Sequence, residues 1–492
     1  MNRMTLRALL VAAGSVAALC VGPASATADV QSTYLVLYRE GASTSQAQGT
    51  IAAAGGTVVA NYPQIGVLIA SSSSAGFAAT LRGNSGIEGV SSTSRFATRL
   101  NQDDTREGLA PTVAAAAWGD SLSGAQWDMT QIHVPEAHAI NPGSRTVHAA
   151  SIDTGLDFSH PDLAPNYDAS RSADCTSGAA APLAPGNDLS GHGTHVSGTI
   201  AAAANGTGVV GVAPNVRISG IRAGNADGFF FPEAVVCAFM WAGTHGIDVT
   251  SNSYFADPWL FNCRDDAEQR AIWTAERRAI RFAQSQGVLV IASQGNDSTD
   301  LSHPTFDNIS PDFPPGSEQE REVTNACAVV PVEVPGVVGV TATGNRQLKS
   351  FYSSYGTSTA DVAAPGGDSI LQVTPAAPNG RVLSTFSSVG TICAPARTVI
   401  ENGAKYCYLQ GTSMAGPHAT GVAALLLSAH PNLTTGSLAA RLQQATNPLP
   451  CPDISLYAPF PQLDGSPQSC QGGTAHNSFY GAGEVDALLA VS

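Results

Sequence analysis

The stretch of residues 409–427 reads LQGTSMAGPHATGVAALLL and decides how the rest of the chain is interpreted. A single serine, Ser413, stands among small residues directly before an apolar run that predicts a buried helix. Serine at the start of a helix is ordinarily an N-cap. The small neighbours Gly411 and Gly416 would also give a reacting carbonyl access to the hydroxyl. From this segment alone, Ser413 is therefore either a helix cap or a nucleophile.

Short apolar strands alternate with helices upstream of this segment. The predicted strands are residues 146–153, 216–222, 247–254, 287–293 and 337–343. The predicted helices are residues 195–204, 232–246 and 267–287, the last ending at Gly287. This alternation predicts an α/β fold with a mostly parallel central sheet and helices on both faces. Chemistry in such sheets gathers at the carboxyl ends of the strands.

The first 125 residues are organised differently. Arg3 and Arg7 precede the apolar run 8–21 and the small residues 24–28, so residues 1–28 are typical of a secretory signal peptide. From residue 32 to about residue 100, strand and helix patterns predict a small α+β domain of ferredoxin-like type. Residues 101–125 lack periodicity and predict a linker where processing occurs.

Composition agrees with an exported globular protein. The 492 residues carry 23 Lys and Arg against 38 Asp and Glu, a net charge of −15, and no basic run stands out. Nucleic acid is therefore not an expected partner, and neither is a membrane once the signal is removed.

Cysteine usage points the same way. Eight cysteines follow the signal, an even number that favours disulfides in an exported chain, and no C-x-x-C pair suggests zinc. The short separations Cys393 to Cys407 and Cys451 to Cys470 predict two local bridges, while the pairing of the other four cysteines stays open.

Three polar residues stand at the edges of predicted apolar elements. Asp153 closes the first strand of the alternating region, His192 lies at the start of a helix, and Ser413 lies at the start of another. A serine hydroxyl becomes a good nucleophile when an imidazole takes its proton and a carboxylate orients that imidazole. Asn296, just after a strand, and the backbone N–H of Ser413 are candidate donors to a developing oxyanion.

Four segments, in this order, resemble the signature segments of the subtilisin (subtilase) family of serine peptidases: IDTGLDFSHPDL, GHGTHVSGTIAA, ASQGN and GTSMAGPHATGVAALLL. The resemblance implies that Asp153 orients, His192 is the general base and acid, and Ser413 is the nucleophile. It also implies that Asn296 and the Ser413 N–H form the oxyanion hole. His195 is expected to pack in the interior.

The same resemblance implies the organisation and the activity of the whole chain. Residues 126–492 would be a subtilisin-like peptidase domain, and residues 29–100 an inhibitory propeptide that is removed after folding. The expected protein is a secreted, self-inhibited endopeptidase that works through an acyl-enzyme on proteins or peptides. It would be a monomer without a catalytic cofactor.

The residues that would border the substrate depart from the family pattern. Residues 252–255 read Asn-Ser-Tyr-Phe where the family usually has Ser-Leu-Gly-Gly or something close. The facing segment is expected to be a strand that reads DGFFFPE. These departures predict an aromatic wall that prefers bulky apolar residues upstream of the scissile bond; simple core packing is the alternative. The candidate substrate-binding residues are Ser253, Tyr254, Phe255, Gly228, Phe229 and Phe230.

A structural calcium is a further expectation from the resemblance. Many family members hold one between the Asp of the HPDL segment, here Asp162, and the loop after the histidine helix, which contains Asn205. Oxygen ligands of this kind suit calcium. An ordinary turn with Asn205 as turn former is the alternative.

Other enzyme classes fit the sequence less well. A pepsin-like aspartic peptidase needs a second D-[ST]-G motif besides the one at Asp153, and none occurs. An α/β-hydrolase esterase would show G-x-S-x-G, but Ala415 occupies the last position, and Ser413 comes last of the three residues. A non-catalytic binding or adhesion protein on the same scaffold remains the alternative function.

Overall fold

The computed structural model describes residues 31–93, 117–255, 259–311 and 316–492. The predicted signal peptide, residues 1–28, and most of the predicted linker lie outside the described residues. In the part of the chain that is described, no helix is both long and apolar enough to cross a bilayer.

The N-terminal unit is a four-stranded antiparallel sheet with two helices. Its elements are β1 (Ser32–Tyr38), α1 (Ala47–Ala53), β2 (Gly56–Tyr62), β3 (Val67–Ser72), α2 (Phe77–Arg82) and β4 (Ile87–Ser92). In the strand order β2-β3-β1-β4, the two strands that precede the helices, β1 and β3, are separated by β2 in sequence but pair with each other at the centre of the sheet. This is the predicted α+β arrangement.

The rest of the chain is built on a nine-stranded sheet in the order β19-β22-β15-β14-β10-β8-β5-β7-β6. All its pairings are parallel except that of β19 with β22 at one edge. The strands after the N-terminal unit are β5 (His148–Asp153), β6 (Ala173–Asp174), β7 (Arg217–Arg222), β8 (Val249–Asn252), β9 (Asn262–Cys263), β10 (Leu289–Ser293), β11 (Phe306–Asp307), β12 (Arg321–Glu322), β13 (Cys327–Ala328), β14 (Val338–Thr343), β15 (Val362–Pro365), β16 (Val382–Phe386), β17 (Thr398–Glu401), β18 (Ala404–Leu409), β19 (Thr446–Asn447), β20 (Gly472–Gly473), β21 (His476–Asn477) and β22 (Glu484–Val485).

Helices cover both faces of this sheet, as predicted. They are α3 (Trp127–Gln131), α4 (Val134–Ile140), α5 (His192–Ala201), α6 (Pro232–Thr244), α7 (Ala267–Ser285), α8 (Thr412–Ala429), α9 (Thr435–Gln444) and α10 (Ala487–Val491). Alternate residues of β5 divide between the two cores, since Ala149 packs with α5 and α8, whereas Ile152 packs with α6 and α7. The α/β architecture is thus confirmed.

The N-terminal unit packs on α6 and α7 with one face of its sheet. Val36 and Leu68 face its own small core, while Leu35 and Ile69 on the opposite face join the core of α6 and α7. Both faces of this sheet are therefore apolar, as expected for a sheet that is covered on both sides.

Polar contacts frame this apolar contact. The Arg278 guanidinium, on α7, donates to the Tyr38 carbonyl (2.8 Å) and pairs with Glu88 (2.9 Å). Arg82 pairs with Glu268 at 2.8 Å, and the Tyr62 hydroxyl donates to the carbonyl of Gly178 at 2.6 Å. Charged residues of α7 thus orient the N-terminal unit on the larger domain.

Eight cysteines form four disulfides. The two predicted local bridges, Cys393–Cys407 and Cys451–Cys470, are both present. The other pairs, which the sequence left open, are Cys175–Cys237 and Cys263–Cys327.

Element ends differ from the sequence expectation in one instructive way. The helix predicted over residues 195–204 begins three residues earlier, at His192, because Gly191 reverses the chain with φ 94°. A glycine is suited to that left-handed conformation. α7 ends at Ser285, two residues before Gly287, whose φ of 99° takes the chain out of the helix as its predicted role as a C-terminal stop requires.

Candidate active site

Three neighbouring strands bring the candidate residues to one edge of the sheet. In the parallel register, Ile152 of β5 lies opposite Asn252 of β8, and Asn252 lies opposite Ala292 of β10. Asp153, the next residue on β5, is therefore level with the residues that follow Asn252 and Ala292. Adjacent strands are about 4.8 Å apart, so groups at these strand ends can meet.

Asp153 and His192 form a direct hydrogen bond in a buried position. Asp153 Oδ1 lies 2.7 Å from His192 Nδ1, and the Asp153 side chain is inaccessible to solvent. The backbone N–H of Thr154 donates to the same oxygen at 2.7 Å. Because Nδ1 donates to the carboxylate, Nδ1 carries the proton. Nε2 is then the nitrogen that can accept a proton.

Charges near His192 favour its imidazolium form. Burial lowers the pKa of His192, but Asp153, by charge and hydrogen bond, and Asp188, by charge, raise it, and the net pKa lies above its ordinary value. His195 is different: burial lowers its pKa to about 3, and its Nε2 lies 3.0 Å from the carbonyl oxygen of Cys407.

Side chains from the neighbouring strand ends hold the first turn of α8. Ser253 Oγ donates to the Ser413 carbonyl at 3.2 Å, and Ser293 Oγ donates to the Thr412 carbonyl at 2.7 Å. Pro417 has no N–H to give to the Ser413 carbonyl, four residues earlier, so Ser253 supplies a donor in its place. These bonds fix Ser413 at the edge of the sheet where Asp153 ends its strand.

The N-cap interpretation of Ser413 is wrong. The N-cap of α8 is Gly411, without a side-chain cap, and Ser413 is the second helical residue. Its hydroxyl lies 3.4 Å from the carbonyl oxygen of Ser253. Its N–H belongs to the first helical turn, where backbone donors have no acceptor within the helix.

The Asn296 amide is oriented by Thr412. Asn296 Oδ1 accepts the backbone N–H and the hydroxyl of Thr412, each at 2.9 Å. Because the oxygen is used in this way, the Nδ2 donor remains for a ligand. The Nδ2 group lies on the Gly411 side, next to the first turn of α8.

This arrangement, with Asp153, His192, Asn296 and Ser413 on one edge of a parallel sheet, can be compared with known proteins. A model of the subtilase family matches residues 144–483. The chain belongs to the subtilase family.

Individual relatives are distant. Subtilisin DY of Bacillus licheniformis is 30% identical over 302 residues, which cover 61% of this chain and 84% of that protein. A thermophilic serine proteinase of Bacillus sp. (strain AK1) is 28% identical over 317 residues, 64% of this chain and 61% of that protein. Fervidolysin of Fervidobacterium pennivorans is 29% identical over 332 residues. The alignments span 61% of the thermophilic proteinase and 40% of fervidolysin.

Solved structures of this family share the fold. The epidermin leader peptide processing serine protease of Staphylococcus aureus matches with a TM-score of 0.68 at 22% identity, covering 94% of this chain and 98% of that one. Fervidolysin, described as a keratinolytic enzyme related to subtilisin, matches with a TM-score of 0.63 at 24% identity, covering 94% of this chain and 61% of that one. The match to a subtilase fold thus includes the N-terminal unit.

A pocket with an apolar wall opens beside Ser413 and Asn296 in this subtilase. Five of its lining residues are apolar or aromatic: Phe230, Tyr254, Phe255, Leu260 and Val329. Phe230 and Tyr254 stack with ring centroids 4.2 Å apart and planes 5° from parallel. The remaining lining includes Ser253, another predicted substrate-binding residue.

The facing segment is not a strand, in contrast to the expectation. Residues 225–228 form a turn that is closed by an antiparallel bridge between Gly224 and Phe230. Gly228 takes a positive φ of 88°, and Phe229 is buried outside the pocket lining. The family resemblance implied a strand here, but the turn at Gly228 determines the local conformation.

The residues predicted to bind calcium lie together, but their donors do not fit the ion. Asn205 turns its Nδ2 toward Asp162 Oδ1 (3.3 Å), while its own Oδ1 accepts the N–H of Thr207. Asp162 Oδ2 accepts the N–H of Val209 at 3.1 Å. Calcium needs converging oxygens, and here N–H groups already satisfy the carboxylate.

Sequence reasoning missed several residues of the site. Leu260 and Val329 reach the pocket from segments held together by β9, β13 and the Cys263–Cys327 disulfide, and neither carries a recognisable motif. Thr412, directly before Ser413 in sequence, was also missed as the partner of Asn296, although its hydroxyl could have suggested that role.

Proposed function

We propose that the chain is a serine endopeptidase in which Ser413 attacks the scissile carbonyl, His192 moves the proton and Asp153 orients His192. The observation that carries the proposal is the 2.7 Å bond between His192 and Asp153 at the same sheet edge to which Ser253 ties the Ser413 carbonyl. Membership in the subtilase family supports a serine peptidase.

Each step of acyl transfer has a residue suited to it. His192 Nε2 would take the Ser413 proton as the hydroxyl attacks and then give it to the leaving amine, which leaves an acyl group on Ser413. The buried Asp153 carboxylate stabilises the imidazolium formed in between. Water would then attack the ester by the reverse of these proton transfers and restore the Ser413 hydroxyl.

Two donors are available for the oxyanion. Asn296 Nδ2, left available by the bonds of Thr412, and the Ser413 N–H at the positive end of α8 lie on the same side of the site. A donor of this kind contributes about 3 to 4 kcal/mol to the transition state. No residue of the proposed chemistry requires a metal, and structural calcium is not part of the proposal.

A fluorophosphonate probe tests the nucleophile directly. We expect one covalent adduct per processed chain, on Ser413, because the probe reacts with a serine activated by a neighbouring base. Ser413→Ala is expected to abolish labelling, and His192→Ala to slow it by about 10³-fold or more. Mass spectrometry of the labelled peptide is the measurement.

The matched control for this experiment is Ser437→Ala, an exposed serine of α9. Its labelling should equal that of the unaltered chain. A processed, folded chain that takes up no probe would favour the non-catalytic binding protein instead.

We propose that the pocket beside Ser413 receives a large apolar side chain of the substrate. The phenylalanine, tyrosine, leucine and valine side chains of its apolar wall would bury an aromatic side chain favourably, while Asp297 and the other polar lining residues lie beside that wall. Because the pocket adjoins Ser413 and Asn296, this side chain would belong to the residue directly before the scissile bond.

Filling the pocket should weaken the preference for a large residue before the scissile bond. Val329→Phe is expected to lower kcat/KM by about 10-fold or more for peptides with Phe before the scissile bond, and by less for the same peptides with Ala. Ile400→Phe, at an exposed position of β17, is the control and should change neither value. Equal losses on both peptides would contradict the role of the pocket.

We propose that residues 29–100 act as an inhibitory propeptide of a secreted precursor. The last described residue of the N-terminal unit, Thr93, lies near enough to Glu233, at the start of α6, to act on the pKa of its carboxyl. This is three residues after Phe230, which lines the pocket, so the chain leaves the unit beside the candidate active site. Four disulfides and the signal-like residues 1–28 support export.

Weakening the contact between the N-terminal unit and α7 should hasten activation. Arg278→Ala removes the charged hydrogen bond to the Tyr38 carbonyl, of a type worth about 1.5 to 3 kcal/mol, and the partly exposed pair with Glu88, which solvent screening makes weaker. We expect a shorter lag before peptidase activity appears after refolding of the full chain. Arg281→Ala, an exposed arginine of the same helix, should leave the lag unchanged. An unaltered lag in Arg278→Ala would argue against inhibition through this contact.

A further inference from the structure

Asp188 is a buried carboxylate that does not belong to the proposed triad. It lies in the loop before α5 and is inaccessible to solvent. Its Oδ1 accepts hydrogen bonds from the Thr154 hydroxyl and the Gly191 N–H, both at 2.8 Å. Its Oδ2 accepts the N–H of Thr194 at 2.8 Å and the hydroxyl of Thr194 at 2.6 Å. Four donors thus converge on one side chain.

Two of these bonds cap the helix that carries His192. Gly191 is the N-cap of α5 and has no side chain, so Asp188 supplies the acceptor that an N-cap residue would otherwise offer to the N–H of Thr194. A carboxylate at this end also interacts favourably with the helix dipole. The start of α5, and His192 with it, is therefore held by Asp188.

The bond from Thr154 connects Asp188 to the other partner of His192. Thr154 donates its N–H to Asp153 Oδ1 at 2.7 Å, and its hydroxyl accepts the N–H of Gly193 at 3.0 Å. The same hydroxyl donates to Asp188. The strand end that bears Asp153 and the helix start that bears His192 are thus tied together through one carboxylate and one threonine.

Charge gives Asp188 a second effect on His192. Asp153 at the end of β5 and Asp188 in the loop before α5 both act by charge on His192, and His192 in turn acts on His195 of the same helix. α8 contributes His418, which acts on His195. Both carboxylates raise the pKa of His192, and the hydrogen bonds of Asp188 go to Thr154, Gly191 and Thr194 rather than to the imidazole.

We propose that Asp188 is a positioning residue for His192: it fixes the helix start against the Asp153 strand and adds a negative charge that stabilises the imidazolium. This inference rests on the proposed serine peptidase function. It assigns Asp188 no contact with the substrate.

Asp188→Asn separates these effects from a merely structural role. The amide would turn an N–H group toward other N–H donors and would remove the charge. We expect kcat of the processed chain to fall by about 100-fold, since a displacement of about 1 Å has that consequence, with KM changed less than about twofold. The acid limb of the kcat/KM profile should move to lower pH, because the imidazolium loses a stabilising charge.

Asp168→Asn is the matched control. Asp168 is also a largely buried carboxylate, but it lies 3.4 Å from His148, at the opposite end of β5 from Asp153. This variant should change neither kcat nor the pH profile.

Thr154→Val keeps the Asp188 carboxyl group and removes the hydroxyl that joins it to the Asp153 strand and accepts the Gly193 N–H, so it remains informative if Asp188→Asn does not fold. It should lower kcat while the acid limb stays in place. The inference is overturned if Asp188→Asn has a wild-type rate and pH profile, or if its kcat falls while the acid limb does not move. In either case, labelling of the wild-type chain at Ser413 leaves the proposed function standing. An unlabelled wild-type chain overturns both.

Discussion

The hydrogen bond between Asp153 and His192 is the constraint on which the site depends. A solvent-inaccessible carboxylate needs donors, and the His192 Nδ1 proton and the Thr154 N–H supply them. That bond determines which imidazole nitrogen is free, and hence which side of His192 can act as a base. Gly191 and Asp188 support this bond, because both determine where the helix that carries His192 begins.

Parallel pairing extends the same constraint to the serine. Because β5, β8 and β10 are in register, the hydroxyls of Ser253 and Ser293 lie level with Asp153 and reach the first-turn carbonyls of α8. Pro417 leaves the Ser413 carbonyl available for this contact. The helix start that exposes the Ser413 N–H is thus also the one that the sheet edge anchors.

The fold was predictable because its signals are periodic and local. Alternating apolar strands and helices indicated the parallel sheet, and short cysteine separations indicated two of the disulfides. The pocket was not predictable: Val329 and Leu260 come together through a disulfide of 64 residues' separation, and long-range pairing of this kind leaves no local pattern. The segment of three phenylalanines is not the strand that the family resemblance implied, because a turn at Gly228 sets its conformation. Asp162 and Asn205 are adjacent as expected, yet the orientation of an amide, which no sequence pattern encodes, points a donor at the carboxylate.

The central claim is that Ser413 carries the acyl group during turnover. Processed chain can be mixed with excess peptide ester, quenched in acid during steady-state release of the alcohol, and digested for mass spectrometry. The account predicts that the peptide containing Ser413 carries the mass of the acyl group, at about one equivalent per chain. Continued ester turnover with Ser413 unmodified at every quench time would contradict it.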